Sequence, residues 1–278
     1  MSLAPEKIQI AYERLRFHRD RNRDKTYLAF SGGKDSIVTY DLAKKSGIPI
    51  EPHYHFTTVD PPELVKFIKD NYPEVTWDKP LKIGTHRGES SVTIKSMFQL
   101  IEWKHTPPTR RFRYCCEVLK EYGGRGRTVI DGVRWAESKR RSKRMMYERC
   151  SKNDDTFYLH PIIDWSDEDV WDYIHQNDLK YCSLYDEGFT RIGCIMCPLT
   201  NSEQMLKEAK RWPKYYNAYL NAFRRMLETK PLHQKLQWVD EYDVMNWYIY
   251  GTKLSDSWWY GTVTYEDNSE DLSCEMFG

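Results

Sequence analysis

The chain has 278 residues, 40% of them hydrophobic, and its 42 Lys and Arg against 41 Asp and Glu leave a formal net charge of +1. That length can bury a sizeable core, as one large domain or one domain with a small appendage. The charge balance excludes a generally polybasic nucleic-acid binder but not a local basic face, and no run approaches the ~20 apolar residues needed to span a bilayer. The opening Met1-Ser2-Leu3-Ala4-Pro5-Glu6-Lys7 has no apolar segment after its first charges, unlike a secretory signal, so a cytoplasmic location without a membrane partner is expected. There cysteines stay reduced, and the seven present point to metal or redox chemistry more than to structural disulfides.

In chain order, residues 4–24 read as a basic amphipathic helix with Ile8, Tyr12, Leu15 and Arg19 near one face. The apolar run Tyr27-Leu28-Ala29-Phe30 reads as a strand, and residues 35–45 as a helix that ends at Gly47. Between them lies Ser31-Gly32-Gly33-Lys34-Asp35-Ser36. Such a turn suits phosphate for physical reasons. Two glycines let the backbone approach an anion and tolerate positive φ. The helix start offers unpaired N–H groups and the positive end of its dipole. Lys34 adds a charge, and Ser31 and Ser36 add hydroxyl donors. The spacing is not that of a Walker A loop, and a glycine turn with no ligand is the plainer alternative.

Residues 48–59 contain a second strand, and Pro61-Pro62 opens a helix through Asp70. Residues 91–104 read as a helix with Ile94, Met97, Phe98 and Ile101 on one side. Residues 128–133 form a short strand, residues 157–165 are extended, and Ser166-x-x-Asp169 caps a helix containing Val170, Trp171 and Ile174. From about residue 200 the pattern turns helical. Residues 203–228 make one or two helices broken near Trp212-Pro213, residues 231–260 carry further helical pattern, and an acidic tail starts at Glu266. The fold class expected is α/β, a mainly parallel sheet with helices on both faces and a C-terminal helical appendage. The expected domains are 1–200, binding nucleotide, and 201–278. Ligands of such sheets bind at the carboxyl ends of strands, where the 31–36 loop sits.

Four cysteines form a pattern, Cys115-Cys116 and Cys194-Ile195-Met196-Cys197. Two sequence-distant pairs can surround one centre, either zinc or an iron–sulfur cluster. The adjacent pair argues against ordinary zinc, whose ligand pairs leave two to four residues between them. Buried cysteines without metal are the third alternative. Cys150 and Cys182 read as packing residues. Between Lys104 and Lys152 the chain carries fifteen Lys or Arg against five Asp or Glu. Arg134 and Arg141, just after the 128–133 strand, can grip phosphate or sulfate bidentately, and Glu137 can orient either arginine. For the other basic residues a solvated face is the simpler reading, and the excess also suits a nucleic-acid backbone.

Together these segments resemble the phosphoadenosine phosphosulfate reductase family of the PP-loop ATP pyrophosphatase superfamily. The matching pieces are residues 31–36, His55-Phe56-Thr57-Thr58-Val59-Asp60-Pro61-Pro62-Glu63, Cys115-Cys116 and Gly132-x-Arg134-x-x-Glu137-Ser138-x-x-Arg141. Pro161-Ile162-Ile163-Asp164-Trp165 with Asp169-Val170-Trp171, Leu184-Tyr185-Asp186-Glu187-Gly188 and Cys194-x-x-Cys197 follow in family order. The resemblance implies an adenine nucleotide alpha hydrolase-like fold that binds ATP or adenylylsulfate, with Mg²⁺. It places the phosphates on Ser31, Gly32, Gly33, Lys34, Asp35 and Ser36, and the nucleoside beside the segment ending at Asp60. Gly132, Arg134, Glu137 and Arg141 complete the anion pocket, and Lys34, Asp35 and Arg134 are the implied catalytic groups. Cys115, Cys116, Cys194 and Cys197 look like the [4Fe–4S] ligands of the adenylylsulfate reductase branch.

One feature departs from the family. Sulfonucleotide reductases end in Glu-Cys-Gly-(Ile/Leu)-His, whereas this sequence reads Leu272-Ser273-Cys274-Glu275-Met276-Phe277-Gly278. Cys274 is the candidate reductase nucleophile, yet Glu270, Asp271 and Glu275 disfavour its thiolate. The first expectation is therefore an ATP pyrophosphatase that adenylates an acceptor for sulfur transfer, similar to proteins of DNA phosphorothioation. Its partners would be a nucleic-acid acceptor and a sulfur-donor protein such as a cysteine desulfurase. The alternatives are thiol-dependent reduction of adenylylsulfate or its 3′-phosphorylated form to sulfite, and nucleotide binding without catalysis.

Overall fold

Short apolar runs alternating with amphipathic stretches become, in the computed structural model, strands of one sheet joined by helices. The structure describes residues 3–21, 23–79, 82–83, 92–151, 155–229 and 238–252. In chain order the elements begin α1 (Pro5–His18), β1 (Thr26–Ala29), α2 (Lys34–Lys45), β2 (Ile50–His55), α3 (Pro62–Asn71) and β3 (Thr76–Asp78). β4 (Lys82–Ile83), β5 (Val92–Thr93), α4 (Met97–Lys104), α5 (Tyr114–Leu119), β6 (Thr128–Ile130), β7 (Tyr147–Arg149) and β8 (Phe157–Leu159) follow. The last are α6 (Asp167–Gln176), α7 (Ser202–Arg211), α8 (Pro213–Thr229) and α9 (Glu241–Tyr250). The chain divides into two compact units, residues 1–80 with 119–193 and residues 81–118 with 194–278.

The first unit holds a six-stranded sheet in the order β3-β2-β1-β6-β8-β7. Every pairing is parallel except β7 with β8, so the α/β class is as expected. Leu28, Ile130 and Leu159, fully buried, place its core at the central strands. From β1 the chain winds to β2 and β3 on one side, then returns to β6 on the other. Strand order therefore reverses between β1 and β6, which pair with Tyr27 opposite Val129 and Leu28 opposite Ile130. The loops leaving both carboxyl ends meet at this reversal, the usual ligand position in such sheets. α2 is unusually buried for a surface helix, with Ile37, Val38, Leu42 and Ala43 against its neighbours and Gly47 at φ +77 just past its end.

α1 braces the segment leading into α6. Arg14 grips both oxygens of Asp164 at 2.7 and 2.8 Å and donates to the Pro161 carbonyl at 2.8 Å, while Lys7 pairs with Asp169. The expected cap of α6 is present: Ser166 Oγ accepts from Asp169 N at 3.0 Å, and Asp169 accepts from Ser166 N at 2.7 Å.

In the second unit α8 buries Tyr219, Ala222, Phe223 and Met226. Phe98 of α4 meets Tyr219 edge-on at 5.3 Å, and Tyr248 of α9 lies 5.6 Å from Phe223. The break expected near Trp212-Pro213 separates α7 from α8, because proline cannot continue α7 but can open the next helix.

Several boundaries differ from the sequence reading. α1 ends at His18 rather than 24, and of the segment expected to be extended over 157–165 only Phe157–Leu159 is a strand, before a turn. The helix expected over 91–104 begins at Met97, because Ser96 Oγ accepts from Gln99 N and caps it there. Val92–Thr93 instead pairs antiparallel with Lys82–Ile83. Of the 231–260 pattern, residues 238–252 are described, and they include α9. Trp258, Trp259 and the tail from Glu266, with Cys274, lie outside the described residues. No helix among the described residues is long and apolar enough to cross a membrane.

Candidate functional site

The loop after β1 takes the shape its glycines permit. Gly32 sits at φ +71, and a Cβ there would fall 2.6 Å from the Ile68 side chain, so only glycine fits. Ser36 ties the loop together: its hydroxyl donates to the Gly33 carbonyl at 2.8 Å and accepts from Ser31 N at 3.2 Å. Ser31 Oγ lies 3.1 Å from Ser36 Oγ and accepts from Gly33 N at 3.4 Å. Ser36 is thus a buried loop former, and Ser31 is the exposed hydroxyl.

The loop after β6 approaches the same place. Asp131 Oδ1 accepts from Val133 N at 3.0 Å and lies 2.5 Å from Nδ1 of the fully buried His160. Trp135 N donates to the Ile163 carbonyl at 2.7 Å, which stitches this loop to the segment before α6. Gly132 passes so close to α2 that a Cβ would meet the Asp35 carbonyl group at 2.9 Å.

These loops bring together three of the four residues expected to be catalytic, the fourth, Cys274, lying outside the described residues. Arg134 Nε donates to Asp35 Oδ1 at 2.6 Å, and Lys34 Nζ lies 3.3 Å from Asp35 Oδ2. Both cationic side chains are almost fully buried, 6% exposed for Lys34 and 3% for Arg134. Glu137 Oε1 accepts from Arg134 N at 3.0 Å, and its other oxygen pairs with Arg141. It therefore orients both arginines, one through its backbone and one through its guanidinium. Asp60 is buried, with Oδ2 accepting from Thr57 N at 2.7 Å and Thr57 Oγ1 at 2.8 Å. It shapes the turn in which Thr58 takes φ +68.

Two further residues complete the site. Asp167 Oδ1 lies 2.8 Å from Lys34 Nζ and 2.9 Å from Arg134 Nη2. Burial opposes its ionisation, but Lys34 and Arg134 outweigh that and hold its carboxyl below the ordinary range. Tyr185 accepts at its hydroxyl from Lys34 N at 2.9 Å, and burial pushes its ionisation well up, so it stays neutral. The sequence reading does not single out Asp167, an unspecified position of the Ser166-x-x-Asp169 cap, and holds Tyr185 only within the 184–188 motif.

The four patterned cysteines all belong to the second unit. Cys115 is hydrogen-bonded to Cys116, and this bond, burial and the nearby Cys116, Cys194 and Cys197 push its thiol pKa up. The Cys194–Cys197 turn is fixed by Tyr219, whose hydroxyl donates to the Ile195 carbonyl at 3.2 Å, and by Tyr248, which donates to the Met196 carbonyl at 2.8 Å. Arg110 adds hydrogen bonds to the carbonyls of Pro198 at 3.1 Å and Thr200 at 2.7 Å. Four thiols, three of them acting on Cys115, with the turn between Cys194 and Cys197 held by buried hydroxyls, have the donor chemistry of an iron–sulfur cluster. Among the described residues no His, Cys, Asp or Glu side chains are already arranged as a group of three or more metal ligands. The six described cysteines form no disulfide.

The chain is similar to several known proteins. The description "Phosphoadenosine phosphosulfate reductase domain" matches residues 25–200. The chain is 34% identical over 205 residues to an uncharacterized protein of Methanocaldococcus jannaschii, covering 71% of this chain and 47% of that protein. It is 28% identical over 200 residues to Adenosine 5'-phosphosulfate reductase 2 of Bacillus subtilis, covering 68% and 79% respectively. The crystal structure of phosphoadenylyl-sulfate reductase from Candida auris, in a phosphate complex, is 19% identical with a TM-score of 0.48, covering 70% of this chain and 97% of that one. The chain spans about half the length of the two Methanocaldococcus relatives it matches, 47% and 42%. With the family's domain running from β1 through the second cysteine pair, the chain belongs to the phosphoadenosine phosphosulfate reductase family.

Proposed function

We propose that the chain is an adenine-nucleotide-dependent enzyme that uses ATP to adenylate an acceptor for sulfur transfer. The observation that carries this reading is the pair of buried cations, Lys34 and Arg134, at the β1–β6 reversal and beside a glycine loop. ATP's β- and γ-phosphates would lie on the 31–36 loop with Mg²⁺. An acceptor oxygen attacks the α-phosphorus, the bond from that phosphorus to the bridging oxygen breaks, and pyrophosphate leaves with the electron pair. Lys34 and Arg134 stabilise the charge that develops on the leaving group, and the loop's backbone fixes its position. A sulfur nucleophile from a donor protein then displaces AMP from the acceptor.

Lys139, Arg140 and Lys143, all exposed beside the half-exposed Trp135, support a nucleic-acid acceptor. Cys115, Cys116, Cys194 and Cys197 would hold a [4Fe–4S] cluster. When bound, such a cluster supplies a redox couple or a structural tie between the two cysteine pairs.

A second reading, reduction of adenylylsulfate, draws support from the likeness to the Bacillus subtilis reductase. Against it stands the run of acidic sequence neighbours of Cys274, Glu270, Asp271 and Glu275, which disfavour a thiolate. Titration of anaerobically purified protein with ATP-Mg, adenylylsulfate and its 3′-phosphorylated form, at fixed salt, separates the readings. The expected result is ATP binding with poor competition from the sulfonucleotides. Adenylylsulfate binding at least tenfold tighter, about 1.4 kcal/mol, would favour reduction. ATP bound but never turned over with acceptors would leave a nucleotide-binding protein.

A further inference from the structure

The two cations of the site already have an anion between them. Asp167 Oδ1 is shared by Lys34 Nζ at 2.8 Å and Arg134 Nη2 at 2.9 Å. Exposure is uneven across this trio: the cations are 6% and 3% exposed, while the Asp167 side chain is 61% exposed. Asp167 thus covers the solvent side of two buried charges. Asp35 holds the same cations from below, from the first turn of α2, with Oδ1 2.6 Å from Arg134 Nε and Oδ2 3.3 Å from Lys34 Nζ. Two carboxylates balance two cations, as buried charges require when no ligand is present.

The two carboxylates are not equivalent. Asp35 is a quarter exposed and lies where Gly132 passes the Asp35 backbone. Asp167 begins α6, and its side chain has open solvent to turn into. Its backbone is fixed independently by the Ser166–Asp169 cap and, through Asp164 and Asp169, by Arg14 and Lys7 of α1. The side chain can therefore leave without unwinding the helix. A phosphoryl group offers Lys34 and Arg134 more negative charge than one carboxylate, and more acceptor oxygens.

The geometry points to Asp167 as a displaceable internal anion, seated where a nucleotide phosphoryl group binds and exchanged for it on binding. This rests on the nucleotide reading above and names the residue that sets the threshold for entry. A singly charged anion gains little by replacing a carboxylate already on both cations. A pyrophosphate moiety gains net charge and contacts. Asp167 then selects polyphosphates over the abundant monovalent anions, and the free protein keeps its buried cations paired.

The test compares inorganic pyrophosphate binding, by calorimetry without Mg²⁺, in the wild-type chain and in Asp167→Asn, Asp167→Glu and Lys34→Ala. The displaceable-anion role predicts that D167N binds pyrophosphate at least fivefold tighter, while D167E stays near wild type. It also predicts that D167N lowers the melting temperature of the ligand-free protein and that pyrophosphate restores it. D167N binding pyrophosphate equally or more weakly would overturn the inference and make Asp167 a fixed part of the site. Failure of the nucleotide reading looks different: wild-type and K34A proteins would then bind pyrophosphate equally or not at all.

Discussion

The main-chain N–H of Met196 donates to the carboxylate of Glu208 at 2.6 Å, across a turn in which Met196 takes φ +54. A left-handed methionine is costly by itself, so the turn between Cys194 and Cys197 depends on what holds it. Glu208, on α7, is buried, and burial raises its pKa although Gln204 and the Met196 N–H oppose that. Gln204 Nε2 completes the arrangement at 2.9 Å from Glu208 Oε1. Glu208→Ala leaves the Met196 N–H without this acceptor and should cost about 1–3 kcal/mol. Glu208→Gln retains an acceptor oxygen and should cost less than about 1 kcal/mol. Urea denaturation of both variants checks the order. Iron and sulfide content after anaerobic reconstitution should fall in E208A and be retained in E208Q. Equal stability of E208A and wild type would show that the turn is held by Tyr219 and Tyr248 instead.

What the sequence disclosed follows from how local each signal is. The 31–36 loop, the α6 cap and the α7–α8 break are written in residues a few positions apart, and each appears where expected. Asp167 and Tyr185 are different. They meet Lys34 across more than 130 residues, and neither has a local pattern that marks a ligand. Asp60 adds a role that its motif does not advertise, since its carboxylate also accepts from Thr57 within its own turn. β7 was missed because Tyr147–Arg149 is three residues long within a basic stretch, and its pairing with β8 is what makes it a strand.

Two glycines of the site should separate stability from binding. Gly132→Ala drives a methyl to 2.9 Å from the Asp35 backbone carbonyl, which cannot move without shifting the start of α2. A loss of about 1–3 kcal/mol is expected, read as a lowered melting temperature. Gly33 differs, with φ at −78 and the nearest groups to a Cβ being Ser31 Oγ at 3.4 Å and the Tyr185 hydroxyl at 3.5 Å. Gly33→Ala should therefore fold with a stability change under about 1 kcal/mol. It should weaken pyrophosphate binding at least tenfold where the phosphates lie on this loop, because the methyl takes up space beside the exposed Ser31 hydroxyl and the Tyr185 hydroxyl. A G33A protein with wild-type affinity would move the phosphates off this loop.

His55 gives the first unit an acid-labile core distinct from its ion pairs. Its Nε2 is 2.7 Å from the Tyr27 hydroxyl, and its ring meets Tyr122 edge-on at 4.7 Å. Burial lowers its pKa to about 4; Asp78 pulls it upward, while His53 and Lys120 push it further down. In the unfolded chain the same imidazole titrates near 6.5, so between pH 6.5 and 4 the unfolded state binds the proton first. Stability contributed by neutral His55 is present above pH 6.5 and is lost as pH falls toward 4, at up to about 1.4 kcal/mol per pH unit. The ion-paired carboxylates act in a lower window. Asp164 is held below 3.8 mainly by Arg14, so its contribution persists above that pH and disappears only as pH drops through its folded value. Urea midpoints measured between pH 7 and 4 should therefore decline in the wild type and flatten in His55→Gln. Arg14→Ala should leave that slope unchanged while reducing the loss seen below pH 4, to which Asp167 and Asp169, also held low, contribute independently of Arg14. An H55Q protein with the full wild-type slope would assign the titration to another buried group.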